Sequence, residues 1–524
     1  MDHQTDVPVA IVGAGPVGLA LALGLARHGV GSALLEQNDG TSRTSRAPAI
    51  HVRTREVLRQ WRIEHEFMEL GTLLQPLTMH SVAPGADPLA TIDFDVIEEE
   101  AHQPGLLVLE QSETERLLLA AVRRTGLCDV RFGTKVTGLV QRPASVTLDC
   151  STRRARRQLT ARYVVGCDGA GSFVRDAIGL SFDGLTYRLR PLLADVRVDE
   201  AVGLPWPRAR TGPGDFAFTV RLRPGLWRIV HLQHAPTSGD GGSDDEVSHT
   251  DVAACVHQLL GVRDFELAWG SRFQIHRRSA PAFRAGNVLL AGDAAHVHSP
   301  ASGQGMNAGI HDAHNLAWKL AAALRDGDDG RLLDSYDVER RSVSVGTTSR
   351  YTDLLTRAFI QAPGFVRRLS WKALRGALGS TSLRRRIARR VAMIDLDYPA
   401  SPLLRAGDRA AGVRLPDVML HAPDGGRSRL YDLLPAGPVM LDLRARVSRG
   451  PASPVLDDGA TLPAVAIGAN SDWTDRSGSL RRLLGEDDGM LLVRPDTHVA
   501  WAHNPSAPFP SAIRFALGGR TDPG

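Results

Sequence analysis

The chain has 524 residues, 43% hydrophobic and 23% charged, with a formal net charge of +4, a length that allows two or three domains around a large core. Lysine stands only at Lys135, Lys319 and Lys372, so the basic charge is almost all arginine, and no arginine cluster is interleaved with stacking aromatics, which argues against a nucleic-acid partner. Cys128, Cys150, Cys167 and Cys255 have neither C-x-x-C nor metal-ligand spacing, which points to free thiols in a reducing, cytoplasmic compartment and to no metal centre.

Residues 7–26 carry no charge. Pro8, Pro16 and glycines 13, 15, 18 and 24 interrupt the run, and MDHQTD before it lacks a basic start, so neither a membrane span nor a signal peptide is expected. The run reads instead as a strand over 7–12, the turn Gly13-Ala14-Gly15-Pro16-Val17-Gly18, and a helix to His28 ended by Gly29. A second strand over 31–35 closes on Glu36. This is G-x-G-x-x-G in a strand–turn–helix–strand unit. Gly13 makes the tight turn, Gly15 lets a pyrophosphate approach, Gly18 lets helix and strand pack closely, and Glu36 can bind ribose hydroxyls. An adenine dinucleotide is expected.

Residues 45–59, SRAPAIHVRTREVLR, put Arg46 just before a helix, and 105–119, GLLVLEQSETERLLL, put Gln111 at the mouth of another. Residues 163–175, YVVGCDGAGSFVR, read as an apolar strand running into Asp168-Gly169. Between 182 and 283 the period changes to two, and 215–234 reads as two strands joined by Arg-Pro-Gly, part of an antiparallel sheet. On those strands Phe216, Phe218, Trp227 and Ile229 either line a pocket or fill a core; alternation alone leaves both open. The stretch 236–246, PTSGDGGSDDE, reads as a surface loop.

Residues 286–319 read GNVLLAGDAAHVHSPASGQGMNAGIHDAHNLAWK. A buried strand over 287–291 stops at Gly292, and Ala308, Ile310, Ala313, Leu316, Ala317 and Leu320 recur at helical spacing from about Gly305. The loop between holds Asp293, Pro300, Gly303 and Gly305, and the first-turn N–H groups behind it suit an anionic ligand. His311 and His314 are expected on the helix surface. Residues 351–395 read as arginine-rich helix broken by Gly364, Gly376 and Gly379, with SLRRRIARR as a solvated face. A Pro- and Gly-rich stretch over 396–417 opens a new unit of short strands, LYDLL, VMLDL and MLLVRPDTHVAWA.

GAGPVG with Glu36, the Arg46 segment, Gln111, CDGAGSFVR and AGDAAHVHSPASGQGMN together resemble the FAD-dependent aromatic hydroxylases, single-component flavoprotein monooxygenases. The tail resembles the thioredoxin-like C-terminal domain of phenol and aromatic-polyketide hydroxylases, with Thr497 where those usually carry Gly. The resemblance implies an α/β fold. A Rossmann-like FAD-binding domain over 1–398 (about 1–75, 101–180 and 285–398) would carry a substrate sheet from about 76–100 and 181–284, with a cysteine-free thioredoxin-like domain over 399–524. It implies that Gly13, Gly15, Gly18 and Glu36 hold the ADP half of FAD, that Arg46 and Gln111 lie along its pyrophosphate and ribityl chain, and that Asp168-Gly169 serves both FAD and the nicotinamide cofactor. Asp293 would bind ribityl hydroxyls and Pro300 would lie near the reactive edge of the ring. The backbone of Gly305, Met306 and Asn307 would face its N1 and C2 carbonyl edge. Independently of the resemblance, His298 beside this loop is a candidate for contact with substrate or flavin. The expected chemistry is NAD(P)H- and O2-dependent hydroxylation of a phenolic or polycyclic, polyketide-type substrate through a flavin C4a-hydroperoxide. Baeyer–Villiger oxygenation, a flavin reductase, and a silent FAD-stabilised partner subunit stand as alternatives. No membrane partner is expected, and a homodimer is compatible with the tail.

Overall fold

The computed structural model describes residues 5–503 apart from 43–46, 84, 188, 200–202, 213–214, 234–246, 300–302, 328–329, 405–409, 445–460, 469–470 and 486–488. Arg46, Pro300 and the 236–246 loop therefore lie outside the described residues. The architecture is mixed α/β. Parallel strands Val288–Leu290, Arg156–Gly166, Val7–Val12, Ser32–Leu35 and Cys128–Arg131 stand side by side in that order. Val9, Ala10, Ile11, Ala33, Leu34 and Val288 to Leu290 are fully buried, as expected of parallel strands covered on both faces. The hairpin Lys135–Arg142 and Ser145–Ser151 is added antiparallel to Arg156–Gly166.

Two helices start beyond the carboxyl ends of these strands, Pro16–Arg27 and Gly305–Asp326. They pack against each other through small residues: a Cβ added at Gly24 would lie 2.8 Å from the Ala317 Cβ. Val17 wedges between them and the loop, because a Cβ at Gly309 would meet its Cγ2 at 2.4 Å and one at Gly292 at 2.7 Å. Both helix N-termini are thereby drawn into one crevice.

A second sheet has seven strands, in the order Glu266–Arg272, Leu192–Arg197, Leu226–Gln233, Asp215–Arg223, Arg208–Gly212, Leu77–Ser81 and Ala90–Ile92. All neighbours are antiparallel except Arg208–Gly212 with Leu77–Ser81. One face packs Ala194, Val196, Trp227 and Ile229 under the helix His249–Leu260. The other carries Ala209, Phe216 and Leu232 with Tyr187, Leu189 and Ile275, and Trp371 packs on it. A third sheet near the C-terminus runs Ala464–Ala466, Val439–Asp442, Met490–Val493, Val499–His503, its first pair parallel and the others antiparallel.

Several local expectations change. Gly376 sits within the helix Gly364–Gly379 rather than breaking it. Two wide-turned π segments, Ser342–Thr348 and Thr356–Gln361, precede it. On the helix Thr381–Ala392, Arg385 donates to Glu100 at 3.3 Å and Arg389 pairs with the same carboxylate, so this face docks on the protein. His311 and His314 are not on the surface: they are 5% and 7% exposed. The helix Gly305–Asp326 is covered by Pro16–Arg27, Val52–Gln60 and Arg331–Arg341, which leaves it little solvent face. His311 Nε2 meets Thr54 Oγ1 at 3.0 Å, and the His314 ring stands edge-on to Trp61.

The same helix meets the C-terminal segment through a fully buried ion cluster. Arg494 donates to both oxygens of Glu339 at 2.7 and 2.8 Å and to Asp496 at 2.5 Å. Lys319 Nζ reaches Glu339 at 2.6 Å, and Asn315 donates to both Glu339 and Asp496. Removing one partner from such a cluster strands the opposite charge in a low dielectric, so Arg494→Met is expected to cost about 3–5 kcal/mol, read from urea unfolding of the holoprotein.

Burial and neighbouring Arg53 push the His314 pKa well below its ordinary value. Unfolded histidine takes up a proton near pH 6.5 while folded His314 stays neutral, so its contribution to stability falls as pH drops below that value. His314→Gln is expected to reduce the fall in unfolding free energy between pH 6.5 and 5.5 by about 1 kcal/mol.

Candidate functional site

The turn after Val7–Val12 is shaped by backbone sterics. Gly13 has φ +103°, and a Cβ there would lie 2.4 Å from the Cys167 carbonyl oxygen. A Cβ at Gly18 would lie 1.9 Å from the Gly13 oxygen. Gly15 differs: a Cβ there would meet no atom within 4 Å. Its hydrogen faces open space at the start of Pro16–Arg27, whose N-terminus has no side-chain cap and so leaves first-turn N–H groups to a ligand.

Glu36 accepts from the Ala14 N–H at 2.8 Å and from the Asn38 N–H and side-chain amide at 2.9 and 2.6 Å. A carboxylate has room for further donors such as ribose hydroxyls. It lines a cleft of about 550 Å³ with Ala14, Gly15, Asn38, Asp39, Gly40, Thr41, Ser42 and Glu115. Glu115 was not singled out from sequence. It is buried, accepts from the Ser42 N–H at 2.8 Å and from Gln111 at 2.9 Å, and burial raises its pKa. The available signal was its place four residues after Gln111 on one helix face.

Asp168 is engaged locally. It accepts from Ser172 Oγ at 2.5 Å and from the Val174 N–H at 3.1 Å, organising the short helix Phe173–Ala177, and burial raises its pKa. Gly169 follows in the left-handed region with open space around it.

The second helix N-terminus is framed by a stiff loop. Asp312 is fully buried and accepts from the Gly292 N–H at 3.0 Å, His296 Nε2 at 2.8 Å and Arg340 Nε at 2.7 Å. Burial disfavours its charge, but His296 and Arg340 overcome that and hold its pKa below the usual carboxylate value. Asp293 is exposed in the single turn Gly292–Ala294. The Asn307 side chain is a clasp: it accepts from the His51 N–H and donates to the carbonyls of Ala49 and Gly303. Its backbone and those of Gly305 and Met306 begin a helix whose Gln304 cap position provides no side-chain acceptor. His298 Nε2 lies 4.0 Å from the Cβ position of Gly305.

Across from this loop, the strand His276–Ser279 pairs with His296–Val297 and carries Ile275 into the aromatic face of the seven-stranded sheet. Phe216 and Phe218 sit there with ring centroids 5.7 Å apart. Trp227 points to the opposite face, into the core beneath His249–Leu260, so it does not join them. The pleat put neighbouring candidates on two sides of one sheet.

The cleft at Glu36 and the second helix N-terminus thus stand at the same strand ends. An FAD-binding domain family matches residues 6–350, and the family described as aromatic-ring hydroxylase, C-terminal, matches 408–518. The chain belongs to the FAD-dependent aromatic-ring hydroxylases. The 6-methylpretetramide 4-monooxygenase of Streptomyces rimosus is 32% identical over 527 residues, covering 95% of this chain and 91% of the relative. Anhydrotetracycline hydroxylase from Streptomyces rimosus has a similar structure, with TM-score 0.79 at 28% identity, covering 98% of this chain and 100% of the other. The flavin-dependent monooxygenase PieE, solved with FAD and substrate, gives TM-score 0.78 at 27% identity, covering 98% and 100%. FAD is the cofactor of this hydroxylase, an aromatic monooxygenase with NAD(P)H as co-substrate. The open space at Gly15 and the uncapped helix N-terminus fit its pyrophosphate. Among the described residues no helix is long and apolar enough to cross a membrane.

Gly15→Val adds bulk where no protein atom stands, so the hydroxylase variant is expected to keep its fold yet lose FAD. Gly18→Val, with a backbone clash, is expected to lose both. The ratio of flavin to protein absorbance, with a melting curve for each variant, separates the two outcomes.

Proposed function

We propose that this hydroxylase inserts one oxygen atom from O2 into an electron-rich ring of a phenolic or polycyclic, polyketide-type substrate at the expense of NAD(P)H. The observation that carries the reading is the aromatic face of Phe216, Phe218, Tyr187 and Ile275 joined by strand pairing to the loop before Gly305. The tetracycline-type substrates named for its relatives support a flat, polycyclic guest.

FAD, when bound, supplies hydride acceptance and activation of oxygen; the chain positions, excludes water and sets the field. Gly13, Gly15, Gly18 and Glu36 hold the ADP half, with Gln111 and Arg46 along the chain between the halves. Asp293 binds ribityl hydroxyls. The N–H groups of Gly305, Met306 and Asn307 would hold an edge of the flavin ring and favour negative charge there by about 0.3–2 kcal/mol. Asp168-Gly169 organises the turn that NAD(P)H approaches, since no second G-x-G-x-x-G exists for it.

In this reading residues 1–398 form the FAD-binding domain with the substrate sheet, and 399–524 a thioredoxin-like domain. The parallel pair Val439–Asp442 and Ala464–Ala466 beside two antiparallel strands supports the latter. Without cysteines beyond Cys255 the tail does no thiol chemistry; it packs, and supports a homodimer in the cytoplasm.

Product mass after turnover under ¹⁸O2 with a panel of phenols and polycyclic phenols is expected to show one labelled oxygen on a ring carbon. A labelled ring-expanded lactone would mean Baeyer–Villiger oxygenation, and NAD(P)H consumption without label would mean a reductase. Asp293→Ala is expected to weaken FAD binding by about 1–3 kcal/mol, as loss of a charged hydrogen bond, measured by fluorescence titration. Substrate is also expected to speed flavin bleaching by NAD(P)H at least about tenfold in stopped flow, which needs only about 1.4 kcal/mol of differential binding between two ring positions. Equal rates under saturating substrate contradict gating.

A further inference from the structure

His298 is the buried polar group that the hydroxylase reading leaves without a task. Both of its ring nitrogens are buried and have no hydrogen-bond partner among the described residues. Such a group costs about 1–3 kcal/mol per orphaned atom, so its retention calls for a partner that arrives with a ligand. The ring is not loose. It stacks on His296 at 6.0 Å with planes 8° apart, and His296 is in turn anchored on Asp312 and packed on Phe283. Arg175 donates to the Ala294 carbonyl at 3.1 Å and pins the start of the same segment.

The direction of the ring identifies the ligand. Nε2 lies 4.0 Å from where a Gly305 Cβ would be, beside the first turn of Gly305–Asp326. We propose that His298 is a neutral hydrogen-bond donor, through Nε2–H, to the flavin-ring edge that this helix N-terminus faces. The inference rests on the FAD assignment above and adds a side chain to a set otherwise made of backbone N–H groups. Burial, with His296 nearby, pushes its pKa down to about 3, so at neutral pH it donates as an imidazole and brings no positive charge. A donor without charge favours the reduced, anionic ring modestly, whereas an imidazolium there would favour it far more strongly. His298 is therefore a positioning and potential-tuning residue for the flavin. The relay Arg340–Asp312–His296 fixes its plane.

The test uses FAD-loaded full-length protein and reads the flavin midpoint potential by spectrophotometric titration against a reference dye. His298→Phe keeps the stacking and removes the donor. It is expected to weaken reduced relative to oxidised FAD about tenfold, equivalent to a fall of about 30 mV for a two-electron couple. His298→Gln, which keeps an N–H, is expected to recover most of the difference. If the Phe variant does not fold, His298→Met serves as the donor-less form. An unchanged potential in a FAD-loaded donor-less variant overturns the proposal. The same holds if the potential stays put while the substrate Kd rises, which would assign His298 to the substrate instead. Wild-type protein that purifies and reconstitutes without FAD would fail earlier and sink the cofactor reading itself, a result distinct from either.

Discussion

Everything around the second helix N-terminus depends on one buried carboxylate. Asp312 has no solvent exposure, and a charge in that position is tolerable only with donors on every side. Its three donors come from two parts of the chain: the Gly292 N–H and His296 from the loop, Arg340 from the following helix. Arg340 then reaches the Ala308 carbonyl and the Tyr398 hydroxyl. The loop, the helix start and the entry to the C-terminal segment are thus tied to one charge. A shift of any of them would leave part of that charge unpaired.

The opposite wall is built differently. The segment covering the aromatic face contains wide π turns, and it is held at discrete points: Tyr187 donates to Asp353 at 2.5 Å, Arg277 and Arg357 pair with the same carboxylate, and Thr356 donates to Ser299 at 2.6 Å. Wide turns pack less regularly than α-helix and often occur beside ligands.

The cofactor half was legible because it is written in glycines and in periods. Gly13 and Gly18 are forced by contacts under 3 Å, and the strand–turn–helix order around them follows from apolar runs too short or too periodic to read otherwise. What stayed hidden was burial of polar residues. His311, His314, Lys319 and Glu339 were invisible as core because an amphipathic reading sends polar residues to solvent, and only packing on several sides of one helix reverses that. Trp227 was unplaceable for a related reason: alternation separates two faces of a strand without saying which faces the ligand. Glu115 was within reach, since its spacing from Gln111 puts both on one face, but nothing in sequence said that Ser42 would come to meet it.

The ion cluster around Glu339 also bears on how such chains can be recombined. Arg494 and Asp496 lie some 150 residues downstream of Glu339 and complete its coordination from the C-terminal segment. The two regions therefore form a lock of complementary charges. A graft that brings a foreign tail with a neutral residue at the position of Arg494 would remove one of the two cations, Arg494 and Lys319, that the described residues place against Glu339. A tail is therefore portable only when Asn315, Lys319 and Glu339 travel with it.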